Sequence, residues 1–313
     1  MASAPDRRSA GDVAARQVTA FQEHRGYLLS VAYRLTSSWA DAEDVVAEAW
    51  PRWARAEGVG NPRAWLTRVV SRIALDHLRS ARVRRETYVG PWLPEPLLGA
   101  VPGPGSAPDP VDEVVREDSV RLAFLVVLDT LTPEQRVALV LHDVLGLPFA
   151  DVASVLSCPE PTARQHAVRA RRRIAAADPA PRYPDRETRA VLDRLTAALA
   201  ADDGPALAAL LAPDVVLVND GGGAVAAALK PVHGADKVGR LLLGLARRGG
   251  AAATFEVVLV NGDPGFLIRL EPRQPRDAEV AVFGFAIRNG LIEGIYGVAA
   301  PDKLSRLPDP PSR

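Results

Sequence analysis

Seven arginines lie between residues 63 and 86, against Asp76 and Glu86, and five between residues 160 and 174, against Glu160. Guanidinium groups at that density suit the holding of a polyanion, because each makes paired hydrogen bonds to phosphate oxygens and keeps its charge. Between 41 and 48 the sign reverses. Asp41, Glu43, Asp44 and Glu48 form an acidic helical face, which by its own pattern reads as a solvated helix start. In the last third, His233, Tyr296 and Asp220 are the candidates for acid–base chemistry, and no acid/base pair stands out among them. The single cysteine, Cys158, rules out an internal disulfide framework and a cysteine-rich zinc site. No metal and no cofactor is expected.

The elements that must position these groups can be read from the pattern. The chain has 313 residues with 38 basic and 38 acidic side chains, and only three of the bases are lysine (Lys230, Lys237, Lys303). No apolar run approaches the ~20 residues that span a bilayer and the N-terminus lacks a signal-peptide core, so a cytoplasmic protein without membrane contact is expected. Residues 1–20 read as a frayed, disordered end. Phe21, Leu28, Leu29, Ala32 and Leu35 recur at helical spacing. Ser38 and Asp41 read as a cap for a run to Trp53 with Val45, Val46, Ala49 and Trp50 on its apolar stripe, in which Pro51 costs ~3 kcal/mol or forces a kink. A third helix over 62–85 turns Trp65, Val69, Ile73 and Leu78 inward. Seven prolines and four glycines in residues 90–110 make a linker, and its Trp92 is expected to dock, since exposure would forfeit ~2 kcal/mol of burial. Helices resume at Asp112, and Thr132-Pro133-Glu134-Gln135 is a strong helix start.

Residues 148–176 have the form of a helix-turn-helix. Ala163, Ala167, Ala170 and Ile174 face inward, while Thr162, Gln165, His166, Arg169, Arg172 and Arg173 face outward, the division a helix needs to enter a DNA groove. After a second linker, 177–186, two helices precede strand-like runs at Val215–Val218, Thr254–Val260, Phe266–Leu270, Val280–Ile287 and Leu291–Val298. Asn261-Gly262 and Asn289-Gly290 signal hairpins, so the last part is expected to be α+β with an antiparallel sheet.

The stretches FQEHRGYLLSVAYRLTSSWADAEDVVAEAW, NPRAWLTRVVSRIALDHLRSARVRRE and LTPEQRVALVLHDVLGLPFADVASVLSCPEPTARQHAVRARRRI resemble regions 2 and 4 of the extracytoplasmic-function sigma factors of the sigma-70 family. The resemblance implies a multidomain chain: two all-α domains at 21–86 and 118–176, joined by a Pro/Gly-rich linker at 87–117. It implies that Asp41, Glu43, Asp44, Val45, Glu48 and Trp50 bind the β′ clamp helices of core RNA polymerase, with the β flap a further contact of the enzyme. It gives −10 promoter DNA to Trp65, Arg68, Arg72, Arg79 and Arg82, and −35 DNA to Thr162, Arg164, Gln165, His166, Arg169, Arg172 and Arg173.

Residues 187–305, before a tail at 306–313, are similar to the SnoaL-like branch of the NTF2-like fold, a curved sheet wrapped by helices into a cone. With WLPEP, DGGG and NGDPG they resemble the ECF41 group, sigma factors carrying this domain fused. Two readings of the domain follow. As a regulator in cis it would need no separate anti-sigma factor, and Trp92, Leu93, Pro94, Glu95 and Pro96 would dock near Asp220, Gly221 and Gly222 or near Asn261, Gly262, Asp263, Pro264 and Gly265. As an enzyme of isomerase or cyclase type, or a sensor of an unknown small molecule, it would use its pocket. The resemblance favours a regulator that is not an enzyme.

Overall fold

The computed structural model describes residues 7–99, 120–181, 185–250 and 253–307. The expected helix start at Asp112, most of the Pro/Gly-rich stretch and the end of the tail lie outside the described residues. The chain divides into two compact units, Met1–Val83 with Leu131–Arg173, and Arg84–Thr130 with Ile174–Arg313.

The first unit is helical. Helix α1 (Arg7–Thr36) begins inside the segment expected to be frayed. Its early turns are anchored: the Trp53 indole donates to the Gln17 carbonyl at 2.8 Å, and the Gln17 amide donates to the Ala56 carbonyl at 2.9 Å. Helix α2 (Trp39–Trp53) is capped by Ser38, whose hydroxyl accepts from the Asp41 N–H. Pro51 does not break it, because it lies on the exposed side of the last turn, where one lost backbone bond is cheap. Helix α3 (Pro62–Glu86) follows. Edge-on and tilted aromatic pairs (Phe21–Trp50, Tyr33–Trp39, Trp53–Trp65) fill the gaps among these helices. Helix α4 (Leu122–Leu128) belongs to the second unit, whereas the sequence places it in the helix-turn-helix domain. Its Leu122 and Ala123 pack against the sheet described below, which gives its apolar face a home. Helix α5 (Pro133–Leu139) carries the expected capping box and runs into a π turn, Val140–Val144, ended by Gly146 in the left-handed region. Helices α6 (Phe149–Leu156) and α7 (Glu160–Ala177) form the expected helix-turn-helix.

Arg136 of α5 ties these helices together. Its guanidinium, fully buried, donates to the Arg34 carbonyl at 3.1 Å and to the Ser37 hydroxyl, at the end of α1 where Ser37 takes positive φ. A cation there satisfies the last carbonyls and complements the helix dipole.

The second unit begins with strand β1 (Leu98–Gly99), which the Pro-rich sequence conceals, and includes α4. Helices α8 (Asp185–Ala200) and α9 (Gly204–Ala208) lead to β2 (Leu211–Asp220), β3 (Val232–His233) and α10 (Ala235–Gly249). Then come β4 (Thr254–Val260), β5 (Asp263–Arg269), β6 (Val280–Arg288) and β7 (Leu291–Val298). A 3₁₀ turn, Pro301–Leu304, closes the fold. The sheet order is β1-β4-β5-β6-β7-β2-β3. Both Asn-Gly hairpins form with the positive φ that type I′ turns require. The expectation of an antiparallel sheet needs one correction: β2 runs parallel to β7, with Asn219 opposite Gly297. The chain leaves β2 through α10 and returns as a four-strand meander whose last strand lies beside β2. One face of the sheet packs on α8, α9 and α10 through Leu192, Leu195, Leu207 and Val238. The other carries Leu93 and Leu122, from the linker and α4.

Candidate functional sites

On α3, Arg68, Arg72, Arg79 and Arg82 are exposed, as their expected role requires, yet three of them are engaged. Arg79 donates twice to one Glu134 oxygen at 3.0 and 3.2 Å, Arg68 meets Asp151 at 3.3 Å, and Arg72 donates to the Ser157 hydroxyl at 3.0 Å. These partners come from α5, α6 and the turn before α7. Burial pushes the Glu134 carboxyl up, but its backbone hydrogen bond and the Arg79 guanidinium outweigh that and hold it below its ordinary value. Trp65 is half-buried against Trp53, a packing residue rather than an open stacking platform.

Helix α2 splits the expected acidic surface. Asp44 and Glu48 are exposed and Asp41 and Glu43 half-exposed. Val45 is fully buried, so it supports this face from the core instead of touching a partner. Trp50 packs edge-on to Phe21 at 5.1 Å and is half-buried. Glu48 also faces Arg52 and His77.

On α7 the inward stripe is as expected, with Ala163, Ala167 and Ala170 buried, and Ile174 half-buried. Gln165, Arg169, Arg172 and Arg173 are exposed, and Thr162 half-buried. Arg164 is tied to Glu160 and lies over the Phe149 ring. His166 is turned further inward than its expected role asks: its Nδ1 is buried, with no hydrogen-bond partner among the described residues. Arg171, which the pattern left unassigned, forms a two-bond pair with Asp143.

In the second unit the WLPEP segment closes on Asp220. This carboxylate is fully buried. It accepts from the Tyr88 hydroxyl at 2.7 Å, the Leu93 N–H at 2.8 Å, the Gly222 N–H at 3.0 Å and the Lys303 ammonium at 2.6 Å. Lys303 also donates to the Leu93 carbonyl at 2.6 Å and lies 3.9 Å from the centre of the Trp92 ring. A buried charge pair survives only when its remaining polar capacity is met, and these bonds meet it. Gly222 and Gly223 both take positive φ, and a side chain at Gly223 would press on Val89 of the linker. Leu93, Pro94, Glu95 and Pro96 are buried, and Trp92 is half-buried.

Asn261 and Asp263 meet the chain outside Trp92–Pro96, at Leu97, Val120 and Arg121. Asn261 donates to the Val120 carbonyl at 2.8 Å and accepts the Leu97 N–H at 3.2 Å, just where β1 pairs with β4. Asp263 binds Arg121 at 2.7 Å. Asn261 and Gly262 form the β4–β5 turn, and Asp263, Pro264 and Gly265 open β5 opposite Val260, Leu259 and Val258. The sequence reading missed Tyr88, Arg121 and Lys303. Lys303 carried a signal: it is one of only three lysines and lies in the closing PDKL.

An apolar chamber of about 200 Å³ opens in the second unit, lined by residues of α8, α10 and the sheet. None of His233, Tyr296 and Asp220 lines it. His233 is exposed on β3, and Asp220 is spent on the linker. Burial, helped by Glu293, lifts the Tyr296 phenol above its ordinary value.

An Arg-rich helix-turn-helix packed with three arginine-bearing helices in one unit, in a chain whose other unit is an α+β domain, suits a DNA-directed transcription protein of sigma type. The Sigma-70 region 2 family matches residues 20–84 and the Sigma-70 region 4 family matches residues 121–174. The chain is 44% identical over 303 residues to the ECF RNA polymerase sigma factor SigJ of Mycobacterium tuberculosis, covering 93% of this chain and 94% of that protein. It is 34% identical over 293 residues to the probable ECF sigma factor SigI of the same species, covering 92% of this chain and 94% of that one. The crystal structure of M. tuberculosis SigJ superposes with a TM-score of 0.77 at 41% identity, over 92% of this chain and 98% of that one. The chain therefore belongs to the extracytoplasmic-function sigma factors of the sigma-70 family, and acts as an alternative sigma factor. Its last domain is α+β, with helices packed on one face of a seven-stranded sheet. No helix among the described residues is long and apolar enough to cross a membrane.

Proposed function

We propose that this sigma factor directs core RNA polymerase to its own promoters and is regulated in cis by its NTF2-like domain, without a separate anti-sigma factor. Asp44, Glu48 and their half-exposed neighbours on α2 would meet the polymerase clamp, with Val45 and Trp50 supporting them from beneath. The α3 arginines would hold the melted −10 strand, their charge tracking phosphates. Gln165 and Arg169 would read −35 bases from the major groove, with Arg172 and Arg173 on phosphates. The observation that carries the regulatory part is the Asp220–Lys303 clasp on the Leu93 backbone. It makes linker docking a two-state element, closed or released. Against an enzyme stands the absence of His233, Tyr296 and Asp220 from the chamber wall.

The test is run-off transcription with core polymerase on a candidate promoter, comparing the intact chain with Asp220→Ala. Point variants serve better than truncation near 180, since α4 packs on the domain that truncation removes. Both forms should bind polymerase, and Asp220→Ala should alter promoter output. If neither binds polymerase, the sigma reading is lost; if both transcribe equally, regulation through the clasp is lost.

A further inference from the structure

We infer that the apolar chamber binds a compact, uncharged ring compound carrying one hydrogen-bonding group, and that its occupancy stabilises the docked linker through a shared wall. The inference rests on the in-cis reading above and adds to it a ligand class and a route.

The chamber's interior is formed by Leu195, Leu242, Phe266, Phe283, Phe285 and Ile295. Its mouth exposes two large apolar side chains, Phe255 at 46% and Leu245 at 41%, which a folded chain keeps in water at a cost. A cavity of ~150 Å³ with such a lining stays dry and takes up benzene, so one of about 200 Å³ suits one or two fused rings. Charge on the ligand is disfavoured. The charged lining residues are two of each sign, Arg248 and Arg273 against Glu271 and Asp277, and Arg248 is already bonded to Asp277 at 2.7 Å. Arg248, Glu271 and Arg273 are exposed, so an ion held among the apolar interior side chains would be left without compensation.

The interior offers two uncharged polar side chains. The Thr196 hydroxyl already donates to the Leu192 carbonyl. Asn219 has no side-chain hydrogen-bond partner among the described residues, and its carboxamide lies over Gly297 beside Phe283. It is the group that a ligand hydroxyl or carbonyl would find.

Asn219 also supplies the route. A second cavity, of about 290 Å³, lies under the linker and is lined by Val89, Gly90 and Pro91; it shares Asn219, Ala226 and Ala227 with the chamber. Successive side chains of a strand point to opposite faces. On β2, Asn219 therefore meets the chamber while Asp220 holds the linker. The wall is fastened at the chamber's far side too: Ala226 N–H donates to the Arg276 carbonyl at 2.7 Å, and Arg276 donates to the Gly223 carbonyl at 3.1 Å, next to Val89. A ligand braced against this wall favours the closed clasp by as much as it prefers that state.

The test uses the full chain labelled with 5-fluorotryptophan, following the Trp92 fluorine resonance assigned with Trp92→Phe. The probe is 2-naphthol, uncharged at neutral pH, with 2-naphthoate as its charged counterpart. We expect saturable 2-naphthol binding that moves the Trp92 resonance in proportion to occupancy. Binding should weaken about tenfold in Asn219→Ala and disappear in Leu245→Arg, a change at an exposed position. No saturable binding, equal binding of 2-naphthoate, or binding that leaves Trp92 unmoved overturns the inference. Asp220→Asn separates it from the reading beneath it. If that variant shifts Trp92 and 2-naphthol does not, the chamber inference alone falls. If Asp220→Asn leaves Trp92 unmoved, the in-cis reading falls.

Discussion

Asp220 and Lys303 form a pair whose value lies in being complete. Each is buried, and each also binds linker backbone or side chains. Removing one charge leaves the other stranded, so Asp220→Ala should cost the second unit about 3–5 kcal/mol. A double variant, Asp220→Leu with Lys303→Met, should recover much of that loss, because a well-packed apolar pair can replace a buried ion pair. Urea unfolding of both variants checks this; equal losses would show that the charges themselves are not what matters. Tyr296 gives a residue-scale pH dependence. Burial first, then Glu293, raises its phenol above the ordinary 10.0. A folded-state value above the unfolded one gives stability that is whole below about pH 10 and lost as pH rises through the folded value. Tyr296→Phe should flatten the alkaline loss of stability in a melting series, and an unchanged slope would assign that loss elsewhere. Asp220 was legible in the sequence only as an acid in a Gly-rich turn, because what defines it, the Leu93 N–H and Lys303, lies 127 and 83 residues away.

Among elements, α3 was the best read and the most incomplete. Its period turned Trp65, Val69, Ile73 and Leu78 inward, the resemblance gave Arg68, Arg72, Arg79 and Arg82 to DNA, and those arginines are exposed. That Glu134, Asp151 and Ser157 occupy three of them could not be read from a helical pattern, since the partners come from other helices. Exposed pairs of this kind are worth about 0–1 kcal/mol each. Glu134→Gln with Asp151→Asn should therefore tighten the chain's binding to single-stranded DNA modestly, no more than about tenfold, and steepen its salt dependence. Filter binding across a salt series measures both; unchanged affinity and slope would mean that the arginines are not held back by these contacts. The Arg79–Glu134 contact carries its own pH sign. Glu134 lies below its ordinary 4.5, so its contribution is present above that value and is lost as pH falls through the folded one.

At the scale of the whole molecule, the composition pointed to separate domains in sequence order, yet the second unit is built from two pieces, Arg84–Thr130 and Ile174–Arg313. The reason is apolar surface. Leu93 and Leu122 complete the sheet face that also carries Val258, Val260 and Val282, and β1 covers the edge of β4. α4 lies within the matched region 4, residues 121–174, but periodicity cannot say which surface a helix covers, so its packing on this sheet was not legible. A fragment of residues 187–313 alone would leave that sheet face in water and strand Asp220, Lys303, Asn261 and Asp263 without Leu93, Leu97 and Arg121. It should melt lower than the same domain in the intact chain and bind hydrophobic dyes. Adding a peptide of residues 84–130 in trans should raise its melting temperature in a concentration-dependent way, as binding to the folded state alone requires. A peptide with Leu93→Asp should fail to do so. If the bare fragment melts as high as the intact domain, the linker and α4 are passengers on this sheet, and the clasp on Asp220 loses its structural basis as a regulator.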